Sequence, residues 1–222
     1  MSCSQCVAIE ETFDDDLSAS ELRRFQRRGP RITTRALLKQ ITALGVAGRT
    51  VLDIGGGVGA AHISLLAAGA VSAVDVDASA AYIKAAQREA RRRGYAKRVS
   101  YMHGNFVDLA PEVPAADIVT LDKVICCYDD ARRLLKASAQ KAKIALGLVY
   151  PTDSWLSRLI NRAFNFGKKI QKNDFRTFVH PQSQIDSTIR SAGLEEAART
   201  RRGFWQVAVY TRKKGARSRG TR

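Results

Sequence analysis

The stretch Val51-Leu52-Asp53-Ile54-Gly55-Gly56-Gly57-Val58-Gly59 decides the fold of this chain. The apolar run Thr50 to Ile54 predicts a buried strand that carries one acid near its end. Three glycines follow at alternate positions, where the backbone takes positive φ or a ligand lies against the main chain. A helical pattern comes next, from Ala60 to Ala68. The sequence therefore predicts a nucleotide-binding loop, because the N–H groups and dipole at a helix start favour an anion.

Two families fit this loop. The dinucleotide fingerprint G-x-G-x-x-G/A is satisfied by Gly55, Gly57 and Ala60. The stretch also resembles the first motif of class I methyltransferases that use S-adenosylmethionine (SAM). In that motif a strand ends in an acid two residues before G-x-G-x-G, as Asp53 does before Gly55, Gly57 and Gly59. We favour the methyltransferase interpretation, because an acid is unfavourable beside a pyrophosphate but suits the ammonium and sulfonium of SAM.

Strands and helices alternate from residue 49 onward, which predicts a parallel sheet with crossover helices. The expected strands after the first are Ser72 to Val76, Val99 to His103, Ala116 to Leu121, Lys143 to Tyr150 and Phe204 to Arg212. The family resemblance implies an α/β, Rossmann-like sheet of seven mostly parallel strands with helices on both faces. A hairpin of the last two strands, one of them antiparallel, would complete it.

The chain is expected to divide into three parts. Residues 1–48 lack strand patterns and are expected to form an N-terminal helical lid. Its helices are predicted from Leu17 to Gln26 and from Thr33 to Leu44. Residues 49–212 are expected to form the SAM-binding methyltransferase domain. Residues 213–222 are basic, contain no acid, and predict a disordered tail.

Within the second part, residues 152–179 are expected to form an insertion that caps the substrate. Its helical portion, Trp155 to Phe164, is amphipathic and basic. Three roles fit such a helix: contact with a membrane surface, cover over an apolar substrate, or packing on the fold. We favour packing combined with the role of a substrate lid.

Further cofactor contacts are expected at the ends of the second and third strands. Asp77 lies eighteen residues after Gly59, where a carboxylate can accept both ribose hydroxyls, and Asp75 is its rival. The stretch that begins Asp77-Ala78 resembles the second methyltransferase motif. The family commonly has Gly-Asp and an apolar residue where this chain has Gly104-Asn105-Phe106. The resemblance implies that Asn105 accepts a hydrogen bond from the adenine amino group and that the next backbone N–H reaches a ring nitrogen.

The family places the transferring methyl group beside the end of the fourth strand, here Asp122-Lys123. Methyl transfer is an in-line displacement at a carbon activated by its sulfonium, so positioning and desolvation can supply most of the catalysis. A base is needed only if the nucleophile must lose a proton. Candidates are His180, Tyr128, Asp122 and Lys123. For His180, a catalytic role and a loop-ordering role are equally open.

Four cysteines form the pairs Cys3/Cys6 and Cys126/Cys127. With no second C-x-x-C and only three histidines, free thiols are expected and no metal site is predicted. The chain also resembles small bacterial methyltransferases labelled as relatives of magnesium-protoporphyrin O-methyltransferase. That resemblance rests on Cys3/Cys6 and on residues 27–30, 124–128 and 178–181.

The net charge of +16 comes from 37 basic and 21 acidic residues. It favours a polyanion or an acidic small substrate, although a solvated basic face explains it as well. A second cluster of basic residues comprises Arg23, Arg24, Arg27, Arg28, Arg31 and Arg35. Few aromatic residues accompany it, which argues against a stacking platform for single strands.

No apolar run approaches the roughly 18–20 residues of a membrane span, and the N-terminus is polar, so a soluble cytoplasmic protein is expected. The favoured function is SAM-dependent methylation of a small molecule, with oxygen as the favoured acceptor atom. The alternatives are an RNA or protein methyltransferase and an NAD-binding Rossmann protein. No Asn-Pro-Pro-Tyr-type motif follows the fourth strand, which argues against amino methylation of nucleobases.

Overall fold

The computed structural model describes residues 4–170 and 174–212, with the backbone alone for residues 4–6. The predicted tail 213–222, Cys3 and the side chain of Cys6 lie outside the described residues. The helices are α1 Ser4–Thr12, α2 Asp15–Arg28, α3 Ile32–Thr42, α4 Ala60–Ala67, α5 Ala80–Arg92, α6 Phe106–Leu109, α7 Ala131–Lys141, α8 Trp155–Ile170 and α9 Gln182–Ser191. The strands are β1 Thr50–Ile54, β2 Ser72–Asp77, β3 Val99–His103, β4 Ala116–Asp122, β5 Ala142–Pro151, β6 Leu194–Arg202 and β7 Trp205–Arg212.

The strands form one seven-stranded sheet in the order β3-β2-β1-β4-β5-β7-β6. Strands β1 to β5 pair in parallel, and β7 lies antiparallel between β5 and β6. The predicted fold is confirmed. The inserted β7 differs from the 3-2-1-4-5-6 order of dinucleotide-binding sheets.

Helices cover both faces of the sheet, and the residues of β1 alternate between two apolar layers. Leu52 and Ile54 join the layer beneath α7 and α9, whereas Val51 joins the layer beneath α3 and α4. Burial on both faces explains why the strands read as nearly continuous apolar runs. Asp53 has the parity of Val51 and therefore lies on the α4 side of the sheet.

The N-terminal helices pack on this framework. Leu37 and Ile41 of α3 approach Gly147 of β5 so closely that a Cβ there would lie 2.8 Å from both side chains. On α2, Gln26 donates a hydrogen bond of 2.8 Å to the buried Glu89 of α5. Helices α1 and α7 were not predicted, while α2 and α3 lie within two residues of their predicted bounds.

Helix α8 is longer than predicted and orients differently. Its apolar side faces solvent, with Trp155 75%, Phe166 66% and Ile170 67% exposed. The expectation that this side packs on the fold is therefore wrong. None of the helices in the described part of the chain is long and apolar enough to cross a membrane.

Candidate active site

The glycine loop between β1 and α4 takes the conformation that its sequence requires. Gly55, Gly57 and Gly59 have φ of 63°, 57° and 83°, the left-handed region that favours glycine. Steric crowding also requires glycine at position 59, because a Cβ on Gly59 would lie 2.7 Å from the Cδ1 atom of Ile63. The loop thus leaves its backbone open at the carboxyl edge of the sheet, where ligands of open α/β sheets bind.

Asp77, at the end of β2, is held against this loop. Its Oδ2 atom accepts a hydrogen bond of 2.9 Å from the Gly57 N–H, and its Oδ1 atom accepts one of 2.9 Å from the Ser79 N–H. Burial is the main cause that raises the pKa of Asp77 to about 6, and the negative charges of Asp53 and Glu10 add to it. The two N–H donors oppose this rise.

A row of polar side chains crosses the sheet beneath the loop. Asp53 lies in register with Thr120 of β4 on one side and with Asp75 of β2 on the other. Its Oδ1 atom accepts a 2.6 Å hydrogen bond from Thr120, and its Oδ2 atom lies 2.9 Å from Nδ1 of His62 on α4. Asp53 therefore anchors the helix that follows the loop, a role that the sequence did not reveal because His62 carried no predicted function.

Asp75 is buried under Gly56 and is not itself on the cavity wall. Burial, followed by the charges of Asp77 and Asp53, raises the pKa of Asp75 well above its usual range. The nearby Gly56 N–H partly offsets this rise, although its geometry falls short of a hydrogen bond. The position of Asp77 at the loop favours it over Asp75 as the ribose contact.

Two residues at the end of β4 lie on the far side of the loop. Asp122 accepts a short hydrogen bond from the Thr34 hydroxyl of α3, and its other oxygen lies 3.8 Å from the Lys123 ammonium. Burial raises the pKa of Asp122, and the Lys123 charge opposes this. Lys123 has φ of 67°, a conformation costly for a residue with a side chain and typical of functional sites.

The Asn105 amide is engaged within the protein. Its oxygen accepts from the Val107 N–H at 3.2 Å and caps α6, while its nitrogen donates to Asp108 at 2.9 Å and to the Tyr128 hydroxyl at 3.2 Å. A carbonyl oxygen has two lone pairs, so the cap leaves one acceptor position for the expected adenine contact.

These elements surround one cavity of about 980 Å³. The predicted site residues on its wall are Asp53, Gly55, Gly57, Asp77, Ala78, Asn105, Phe106, Asp122, Lys123 and Tyr128. Gly59 shapes the turn but is not on the wall. The N-terminal helices complete the enclosure through residues such as Ile9 of α1 and Leu17 of α2.

His180 is not brought to the cavity. Its Nε2 atom lies 2.9 Å from the Tyr128 carbonyl, and its ring stacks on Phe178 at 5.9 Å. Burial lowers the pKa of His180. This position favours the loop-ordering role of His180, since its ring connects residues 178–180 to the segment after β4, and its catalytic role stays a prediction.

The cavity wall carries several cationic side chains, and the sequence did not show that they share one site. They come from α2, the following turn, α3, the end of β4 and the end of β6, and comprise Arg24, Arg28, Arg31, Arg35, Lys123 and Arg202. The Nε atom of Arg24 is buried without a hydrogen-bond partner among the described residues. Two pairs of these arginines have a four-residue spacing: Arg24 with Arg28, and Arg31 with Arg35. In a helix this spacing predicts that the two side chains of each pair lie on the same side.

Cys126 and Cys127 are reduced, and neither takes part in a disulfide. The sulfur atoms of Cys126 and Cys127 lie 3.9 Å apart, and Cys127 is on the cavity wall. The neighbouring Cys126 and burial raise the pKa of Cys127 well above its usual range. Over the described residues, no group of three or more His, Cys, Asp or Glu side chains could hold a metal ion.

The family comparison agrees with the fold and the loop. Residues 51–143 match the family model described as a methyltransferase domain. This part of the chain is a methyltransferase domain, and the seven-stranded sheet around it has the arrangement of class I methyltransferases, which use SAM. None of the curated proteins matches it.

Solved structures with this fold include the magnesium protoporphyrin IX methyltransferase from Synechocystis PCC 6803 with bound SAM. It is 18% identical to this chain with a TM-score of 0.71, over 96% of this chain and 99% of that one. An O-methyltransferase family protein from Burkholderia thailandensis is 22% identical with a TM-score of 0.71, over 93% of this chain and 63% of that one. At such identities the similarity shows the fold.

Proposed function

We propose that this chain methylates an oxygen atom of a small, anionic molecule, with SAM as the methyl donor. The observation that carries the proposal is the single cavity in which the glycine loop and Asp77 share a wall with Arg24, Arg31 and Lys123. The same cavity therefore combines a wall that suits an adenosine ligand with positively charged side chains.

The residues present fit SAM. The Asp77 carboxylate can accept from ribose hydroxyls while it is fixed by two backbone N–H groups. Phe106 supplies an apolar wall for the adenine, and the acids Asp53 and Asp122 give that part of the wall negative character towards a cationic ligand. SAM supplies a methyl carbon that its sulfonium makes electrophilic.

The arginines favour a carboxylate as the acceptor. Guanidinium groups bind carboxylates with charge-assisted hydrogen bonds, and a partly enclosed cavity strengthens them. A carboxylate oxygen is already deprotonated near neutral pH, so it needs no general base. This agrees with the absence of histidine from the described cavity wall, where Asp122, Lys123 and Tyr128 are the predicted bases that remain.

The roles of the helices follow from the same enclosure. Residues of α1, α2 and α3 line the cavity together with the glycine loop. We propose that these helices are the lid predicted for residues 1–48 and that they exclude water from the transfer. An RNA acceptor is less favoured, because six cationic side chains line the same cavity as the glycine loop.

Two measurements test the proposal. Calorimetry with SAM, its demethylated product and NAD should show binding of the first two; binding of NAD with none of SAM would overturn it. Radiolabelled SAM should then transfer its methyl group to carboxylic acceptors, porphyrins among them, in preference to phenols. The carboxylic product should release labelled methanol in alkali, as an ester does and an aryl ether does not. Transfer to RNA alone would contradict the assignment of a small acceptor.

A further inference from the structure

Helix α8 is attached to the rest of the protein by its polar side. Ser157 is 5% exposed and lies within 2.9 Å of the hydroxyls of Thr152 and Ser154. The amides of Asn161 and Asn165 donate to the Thr177 carbonyl at 2.9 and 2.8 Å. Because these three residues recur every four positions, they define one side of the helix, and that side faces the protein.

The opposite side of α8 is apolar and faces outward. Its large side chains are 48% to 75% exposed and comprise Trp155, Leu156, Leu159, Ile160, Phe166 and Ile170. The usual arrangement of a surface helix is thereby reversed. A contiguous apolar surface of this kind marks an interaction site, because exposure of so many large apolar side chains to water is costly.

Positive charge borders the apolar side. A rotation of about 100° per residue places Arg158, Arg162 and Lys169 between the attached side and the apolar side. Helix α8 contains no acidic residue, and Asp153, which pairs with Arg158 at 2.6 Å, precedes it. A helix with Trp, Phe and Leu on one side and Arg and Lys beside them has the pattern of helices that lie in a membrane interface.

The turn between β6 and β7 lies beside the start of α8 and adds an exposed aromatic side chain. Phe204 in this turn is 45% exposed, and its carbonyl accepts a 2.8 Å hydrogen bond from the Thr152 N–H just before α8. Arg202 and Trp205, on either side of the turn, line the cavity. The exposed apolar surface therefore adjoins the cavity.

We propose that α8 and the Phe204 turn dock on an anionic lipid membrane surface and place the cavity beside the bilayer. The basic border and the net charge of +16 complement anionic headgroups, while the aromatic and aliphatic side chains enter the interface. A second copy of this chain complements the surface less well, since an antiparallel two-fold contact between identical helices brings their basic borders to the same side.

Vesicle binding of the full chain tests this docking without cofactor or acceptor, so its outcome is independent of the proposed methyl transfer. Sedimentation should show binding to phosphatidylcholine vesicles that contain phosphatidylglycerol, with weak or no binding to phosphatidylcholine alone, and added salt should reduce it. The emission of Trp155 should shift to the blue on binding, and Trp155→Phe should remove this shift while binding persists.

Matched variants assign the binding to α8. Leu159→Glu should weaken binding more than about tenfold, and Arg162→Gln roughly fivefold, the effect of one basic residue near an anionic surface. Val71→Glu is the control and changes another exposed apolar side chain. Val71 precedes the amino end of β2, whereas α8 follows the carboxyl end of β5, so this substitution should leave binding unchanged.

Three results would overturn the proposal. The first is no binding to either kind of vesicle. The second is equal binding by the wild type and Leu159→Glu, which would assign the attraction to basic residues elsewhere in the chain. The third is a wild-type dimer that Leu159→Glu dissociates, seen by light scattering, together with no vesicle binding; α8 would then be an interface between copies.

Discussion

Asp53 and His62 form a buried pair beneath the glycine loop, with 2.9 Å between Asp53 Oδ2 and His62 Nδ1 and side chains at most 1% exposed. The pair connects the end of β1 to the first turn of α4, so it fixes the two ends of the loop relative to each other. The acid that identifies the motif in the sequence therefore has a structural task besides any effect of its charge on a ligand.

Removal of this pair should destabilise the fold. His62→Ala leaves the buried Asp53 carboxyl without its imidazole partner and should lower the free energy of unfolding by roughly 2–5 kcal/mol. Urea denaturation measures the change. His103→Ala is the matched control, because His103 pairs with Glu10 at the surface with a side chain 40% exposed and should cost about 0–1 kcal/mol. Equal losses in the two variants would show that the buried pair has no special weight.

Asp77 should dominate recognition of the cofactor ribose. Asp77→Ala should weaken SAM binding by about 1–3 kcal/mol, the cost of a polar ligand group left unpaired. Calorimetry with purified variants gives the affinity. Asp75→Asn is the control, since Asp75 is buried and is not itself on the cavity wall, and it should bind SAM as the wild type does. The opposite ranking of the two variants would move the ribose contact to Asp75.

Affinity for SAM should depend on pH through the same carboxyl. The pKa of Asp77 is raised to about 6, mainly by burial, so the unliganded protein takes up a proton there as the pH falls through that value. A protonated carboxyl is a poorer acceptor for ribose hydroxyls, so affinity should decrease below about pH 6 and be constant above it. Asp77→Asn cannot titrate and should give a flatter profile. A wild-type affinity that is constant through this range would contradict the role of Asp77.

Arg24 should bind the methyl acceptor and not the cofactor. Its guanidinium is on the cavity wall and has a buried Nε atom without a partner in the described structure. Arg24→Gln should raise the KM for a carboxylic acceptor about tenfold or more, as expected for loss of a hydrogen bond to a charged group, with unchanged SAM affinity.

Arg27→Gln is the matched control for this prediction. Arg27 is on the same helix, but it is exposed and does not line the cavity, so its substitution should leave KM unchanged. If both variants change KM equally, the long-range field of the basic cluster attracts the acceptor and Arg24 does not contact it.

Local patterns in the sequence predicted the central part of this fold. The strand, the glycine loop and the helix from residue 50 to residue 67 form where they were expected, because burial of an apolar strand and positive φ at glycine depend on neighbouring residues. The cap at Ser79 was predictable for the same reason, and its hydroxyl accepts from the Tyr82 N–H at 3.2 Å. The alternation of strands and helices then implied the parallel sheet.

Contacts between distant residues decided the rest. The sequence could not show that Arg24 of α2 and Arg202 of β6 share a cavity, that His180 bonds to the Tyr128 carbonyl, or that α8 attaches by its polar side. Each depends on which surfaces the packed chain brings together. An amphipathic pattern gives a helix two different sides, but burial against specific partners decides which side faces the protein, and those partners are fixed only by the tertiary structure.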